Sequence, residues 1–277
     1  MLWSRLRQFL AGRLDRLALP GLSRTLARAS LVLTLFCILY FTAFGAFDAL
    51  TGKGRILAEL FGGSRRAIYL SFLRVYPDLL LSLGQTVFMV FFSTLLSFII
   101  GFALSMLMVI TGPQGLRPLA PAYAALDFVV DILRSLPFII LIIFIMPFTR
   151  LIVGTPIGTM ATIVPLTVAA APFAARIIEA NFLEVDRGVV EAARSFGAGT
   201  LQIIFRVMLP EALPSIVLNV AVLAIALVGY SAMAGTVGGG GLGDLAFRLG
   251  YTRFQDDVTL WCIIILLILV RCIQLAG

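Results

Sequence analysis

The sequence predicts an all-α protein that crosses a membrane several times, and two observations predict it. Of its 277 residues 61% are hydrophobic and only 13% are charged, giving a mean hydropathy of +1.08, far from the makeup of a water-soluble domain. Six runs are also apolar over the length a helix needs: at 1.5 Å rise per residue, a hydrocarbon layer about 30 Å thick takes roughly 20 residues. The runs are 31 to 47, 79 to 110, 123 to 148, 157 to 178, 212 to 237 and 258 to 275.

The first run is short and follows an Arg-rich start. It is read as an anchor and not a signal peptide, because no small-x-small cleavage site follows Phe47 promptly and the preceding basic stretch is far longer than a normal n-region. Residues 51 to 77 carry five positive charges, and Ile68, Leu70, Phe72 and Leu73 suit an interfacial helix whose Arg side chains reach back to headgroups. The chain thus divides into an N-terminal extension, 1 to 77, and a five-span body, 78 to 277. Within the body, Pro137, Pro165 and Pro172 interrupt their helices. Freed carbonyls there suit a solute pathway, and prolines in membrane helices also serve packing alone.

Charge and residue choice exclude most chemistry. Lys and Arg number 21 against 14 acidic residues, and all but Lys53 are Arg; this excess suits anionic headgroups, and no basic, aromatic-interleaved surface for nucleic acid stands out. There is no His, which removes imidazole catalysis and His-ligated metals together. Cys37, Cys262 and Cys272 sit in apolar runs without CxxC spacing, so they are read as small lipid- or helix-facing residues rather than disulfide or zinc ligands. Residues 238 to 243 satisfy GxGxxG but join two spans and belong to no strand–turn–helix unit, and no GxxxxGK[ST] occurs. No catalytic residue, metal or cofactor is expected in this chain; ATP-driven work must come from a partner. With the N-terminus inside, twelve Lys and Arg fall on the cytoplasmic side against eight outside. That places the N-terminus and the polar stretch 179 to 211 in the cytoplasm.

That stretch, the longest non-apolar one in the body, reads as two short helices. Asp186 caps the first, whose face holds Val189, Val190, Ala193 and Phe196; Gly197 supplies a left-handed turn; Thr200 caps the second, and Pro210 stops it from running straight on. Glu191-Ala192-Ala193, three residues, Gly197, nine residues, then Val207-Met208-Leu209-Pro210 resembles the EAA loop of bacterial ABC importer permeases. An interfacial turn that merely reverses the chain is the alternative. The wording Arg134-Ser135-Leu136-Pro137-Phe138, MPFTRLIVGTPIG from Met146, IVPLTVAAAPFAAR from Ile163 and GYSAMAGTVGGGGLG from Gly229 resembles methionine importer permeases, from about Leu79 onward.

The resemblance implies a type I permease core of five spans, here with one additional N-terminal transmembrane helix, in the bacterial inner membrane. It implies that Glu191, Ala192, Ala193, Gly197, Leu209 and Pro210 dock on a separate ATPase, present in two copies, which binds ATP and Mg. It further implies a second copy of this chain, a periplasmic or lipoprotein substrate-binding protein, and methionine, in its L or D form, as the solute moved by alternating access. Another amino acid or small solute is the nearest alternative. From a different class, Asp127 and Asp131, four apart, suit an intramembrane carboxylate enzyme, and an ion channel is a third.

Asp127, Asp131 and Arg134 share one helical face, so Asp131 is expected to neutralise Arg134. A salt-bridged cluster at a helix end is preferred to a substrate contact. Tyr230, Ser231 and Met233, near the end of an apolar span and bracketed by Gly229 and Gly235, offer a phenol, a hydroxyl and a thioether to a zwitterion with a sulfur side chain; helix packing by small residues is the other reading.

Overall fold

The computed structural model describes residues 65 to 276, with side chains from 72 to 275. The anchor at 31 to 47 and Cys37 lie outside the described residues. Of the chain's two compact units, Met1–Ala67 and Ile68–Gly277, the second holds nearly all of the described residues. The helices are α1 Arg65–Thr111, α2 Ala120–Ser135, α3 Phe138–Val153, α4 Thr159–Leu183, α5 Arg187–Ser195, α6 Thr200–Ile203, α7 Leu209–Gly235, α8 Gly241–Leu245 and α9 Asp256–Ala276, with single π-helical stretches at Ile204–Met208 and Ala246–Tyr251. Among the described residues, four helices are long and apolar enough to cross a membrane, and the α2–α3 pair raises this to five.

The run 123 to 148, expected as one span, is broken. Leu136 is extended (φ −76°, ψ 127°) and α2 and α3 meet at 109°, because the residue before a proline is pushed out of the helical region. Pro165 and Pro172, by contrast, sit inside the continuous, largely buried α4, where neighbouring helices tolerate the missing donors. The backbone from Arg65 is already helical and runs through Pro77 into α1, so Ile68 to Leu73 belong to that helix and not to a separate interfacial one.

α4 is the central element. Its Ala161, Ala170, Ala171, Ala174 and Ala175 are buried, small enough for backbones to approach closely, which is how membrane helices pack when lipid offers no hydrophobic drive. At the α1 crossing, a Cβ on Gly101 would lie 2.6 Å from Ala174 Cβ, and Ser97 Oγ donates to Thr167 O at 3.2 Å. One core cluster joins Met89 of α1, Phe138 and Ile142 of α3, Leu166 and Ala170 of α4 and Leu227 of α7. A second gathers Val109, Phe182, Ile203, Met208 and Ile216. Cys262 is buried in a third, beside Leu79 and Leu242, while Cys272 is exposed.

The glycine run 238 to 243, expected as a loop, is turn and loop only through Gly240 and opens α8 at Gly241, and the structure supplies the reason. Gly238 O accepts from Gly158 N, Gly239 O from Thr162 Oγ1, Gln85 Oε1 accepts from Gly241 N at 2.8 Å, and Thr86 Oγ1 accepts from Leu242 N at 2.9 Å. The loop is thereby stitched to α1 and α4. Just before it, a Cβ on Gly235 would collide with the backbone of Gly243 and Asp244. Gly235→Ala is therefore expected to cost about 1–3 kcal/mol, read as a lowered thermal midpoint in detergent. Gly229→Ala, where nothing lies within 4 Å of a Cβ, is the matched control. Equal midpoints for the two variants would contradict the close packing of this loop.

Candidate functional site

The EAA-like stretch folds as a capped helix and a defined turn. Asp186 Oδ1 accepts from Gly188 N at 2.7 Å and starts α5. At its other end Gly197 is left-handed (φ +81°), with Ala198 N bonded to Ala193 O at 3.1 Å and Gly197 N to Arg194 O at 2.9 Å. These are the two bonds of a Schellman turn, which satisfy carbonyls the helix end would leave open. Thr200 is not the next cap. Gly199 holds that position and its N–H donates to Gln202 Oε1 at 3.0 Å, so the glutamine side chain takes the cap's donor.

Two further expectations about this stretch are corrected. Pro210 does not end the second helix, which continues from Thr200 to Gly235. The missing donor is absorbed by the π-helical stretch just before it, where Leu209 N reaches Ile204 O, one residue further back than in an α-helix. The apolar face of α5 also splits. Val190 and Ala193 pack on the second core cluster, whereas Val189 and Phe196 face outward, Phe196 at 91% exposure.

No residue of α5 is buried. Glu191 and Ala192 are exposed, Ala193 half-buried, Leu209 half-buried and Pro210 exposed. What holds α5 in place is a pair of basic side chains that sequence reasoning treated only as topology markers. Arg194 Nη2 donates to Leu116 O at 2.8 Å and Arg187 Nη2 donates to Gln114 Oε1, tying α5 to the α1–α2 loop.

The ionic cluster is real but centred elsewhere. Arg176 of α4 donates through Nη2 to Asp127 Oδ1 at 2.6 Å and Asp131 Oδ1 at 2.9 Å, and through Nη1 to Glu179 Oε2 at 3.0 Å. Tyr123 Oη donates to Glu179 Oε1 at 3.2 Å. Asp131 therefore pairs chiefly with Arg176, not with Arg134, whose Nη1 stands 3.8 Å away. Arg176 and Glu179 were missed because they lie near the polar stretch in sequence and read as loop charges. Their spacing of three, on the buried face of an alanine-rich helix, was the available signal.

Tyr230, Ser231 and Met233 do not converge. Ser231 is 2% exposed and donates to Val228 O at 2.8 Å within its own helix. Met233 points outward, half exposed. Tyr230 stacks on Phe138 with ring centroids 4.9 Å apart, and so joins a hollow of about 410 Å³ lined by Asp131, Leu133, Arg134, Ser135, Leu136, Phe138, Ala169, Phe173 and Tyr230. The structure thus brings Tyr230 to Asp131 and Arg134, two groups the sequence placed in separate sites.

Comparison with known proteins shows which family the chain is similar to. The model of the binding-protein-dependent transport system inner membrane component matches residues 105–275. The chain is 50% identical over 201 residues, 72% of its length and 89% of the relative's, to the probable D-methionine transport system permease protein MetI of Vibrio cholerae. It is 48% identical over 149 residues, 54% of its length and 67% of the relative's, to the methionine import system permease protein MetP of Bacillus subtilis. Its fold superposes on a chain of the inward-facing MetNI methionine ABC transporter with a TM-score of 0.72 at 44% identity, covering 74% of this chain and 94% of that one.

Proposed function

Because this chain belongs to the family of binding-protein-dependent transport system inner membrane components, we propose that it carries methionine across the inner membrane as the permease subunit of an ABC importer. It is an integral membrane transport component and not an enzyme. Asp127 and Asp131 both present an oxygen to the same nitrogen of Arg176, so the two carboxylates have like surroundings, whereas acid–base work needs one prepared as an acid and the other as a base.

The observation that carries the reading is the surface of α5. An ordered helix with a closed turn, no buried residue and a bare phenylalanine at its end gains nothing for the fold by exposing Phe196. It gains a great deal if that ring enters a groove on another protein. Glu191, Ala192 and Ala193 form the small-residue surface around it, and Leu209 and Pro210 fix where the following span begins. The partner is an ATPase with its own ATP and Mg. Two copies of this chain meet two ATPases about a two-fold axis, and a binding protein delivers solute on the far side. ATP-driven approach of the ATPases draws the two α5 helices together and shifts the balance from inward-open to outward-open, through differential binding of the two states. Docking requires α5 in the cytoplasm, and with a sixth span at 31 to 47 the N-terminus lies on the same side.

The test is uptake of labelled methionine into proteoliposomes containing this chain, the ATPase and the binding protein, beside a panel of other amino acids. Methionine accumulation that needs ATP is expected. Uptake without ATP would favour a channel, and uptake of another amino acid alone would replace the substrate.

A further inference from the structure

Arg134 lines a hollow with most of its hydrogen-bonding capacity unused. A guanidinium carries five N–H donors, yet this one has a single 3.8 Å contact and no hydrogen bond, although it sits at the end of an intramembrane helix where unpaired charge is costly. It lines the 410 Å³ hollow, a volume within the range of about 300–1,000 Å³ typical of small-molecule sites. Asp131, beside it, presents Oδ1 to Arg176 and has Oδ2 left over. α3 begins in the same wall at Phe138, its N-terminus uncapped by any side chain, and such an end favours an anion. The Tyr230–Phe138 stack, Ala169 and Phe173 complete the lining.

We infer that this hollow is a methionine-binding waypoint on the permease, in which Arg134 and the start of α3 hold the carboxylate, Asp131 the ammonium, and Phe138, Phe173 and Tyr230 the thioether side chain. A carboxylate facing the planar guanidinium fork satisfies two of its donors at once. The sulfur meets aromatic faces and edges, which a polarizable thioether prefers. The inference rests on methionine being the substrate and adds the site that reads its two charged ends.

The test uses the purified permease–ATPase complex without binding protein, and labelled methionine displaced by unlabelled methionine, methionine amide or N-acetylmethionine. In the wild type, the amide, which lacks the carboxylate charge, and the N-acetyl form, which lacks the ammonium, compete at least about tenfold less well, since each loses a charge-assisted hydrogen bond. In Arg134→Gln, methionine binding weakens at least about tenfold while the amide changes little, so the preference between them collapses. In Asp131→Asn, the preference over N-acetylmethionine collapses instead. Co-elution with the ATPase checks assembly. Should Arg134→Gln not assemble, Arg134→Lys, which keeps the charge and loses the fork, is expected to weaken methionine about threefold or more. Unchanged affinity and unchanged preference in any assembled Arg134 variant would overturn the assignment while leaving methionine transport by the wild type intact. A wild type that neither transports nor binds methionine would remove the function and this site with it.

Discussion

Replacing Gly197 by valine is expected to cut ATP-dependent methionine uptake at least about tenfold while lowering the thermal midpoint of the chain by only a few degrees. At φ +81° an L residue costs about 1–2 kcal/mol, and a β-branched one lies at the upper end. The open space around the position means that this cost is conformational and not a collision. The Schellman bonds Ala198 N to Ala193 O and Gly197 N to Arg194 O would be the first lost, and with them the aim of Phe196. α5 has no buried residue and meets the core only through half-buried Val190 and Ala193, so the loss of uptake should far exceed what the small loss of stability explains. Gly197→Asn, which tolerates the left-handed region, should keep most of the uptake. Wild-type uptake in Gly197→Val would show that the turn geometry is not what the ATPase engages. Capture of the ATPase on the immobilised chain reads the same contact directly.

Arg176→Leu should have the largest effect on stability. It removes one cation from three carboxylates, of which Glu179 is 5% exposed and Asp131 57%. Stripping the partner from a buried ion leaves it uncompensated, about 3–5 kcal/mol, whereas exposed pairs contribute about 0–1 kcal/mol. With the guanidinium itself about a quarter exposed, an intermediate cost of about 2–4 kcal/mol follows, visible as a midpoint lower by roughly 5 °C or more. Arg176→Lys keeps the charge but not the fork that reaches α2 and Glu179 together, and should recover less than half of the loss. A midpoint for Arg176→Leu within a degree of wild type would mean that the cluster does not hold α2 to α4.

How much of this was legible in the sequence depended on whether the signal was local. Asp186, Gly197 and the helices they bound could be read in advance because a cap and a left-handed turn act within five residues. The break at Pro137 was visible as a proline, but its angle was not, since 109° is set by what α2 and α3 pack against. The hub at Arg176 was hidden because its acidic partners Asp127 and Asp131 lie 49 and 45 residues away, and no spacing rule spans such a distance. Tyr230 was singled out for its phenol beside Ser231, yet the tertiary fold turned Ser231 inward and set Tyr230 against Phe138 instead. The glycine run was read as a loop throughout, yet its second half opens α8, where Gln85 and Thr86 stitch it across 156 residues of sequence.

The π-helical passage at Ile204–Met208 leaves no slack between the exposed loop and the span that follows. Thr200–Gly235 is one helix of 36 residues, about 54 Å from end to end at 1.5 Å per residue. A helix that long exceeds a hydrocarbon layer about 30 Å thick, so part of it forms an arm beyond the apolar layer. A tilt of about five degrees at that arm displaces the opposite tip by about 5 Å over this length, comparable to the width of an amino-acid side chain. A small tilt at one end is thus a side-chain-sized displacement at the other.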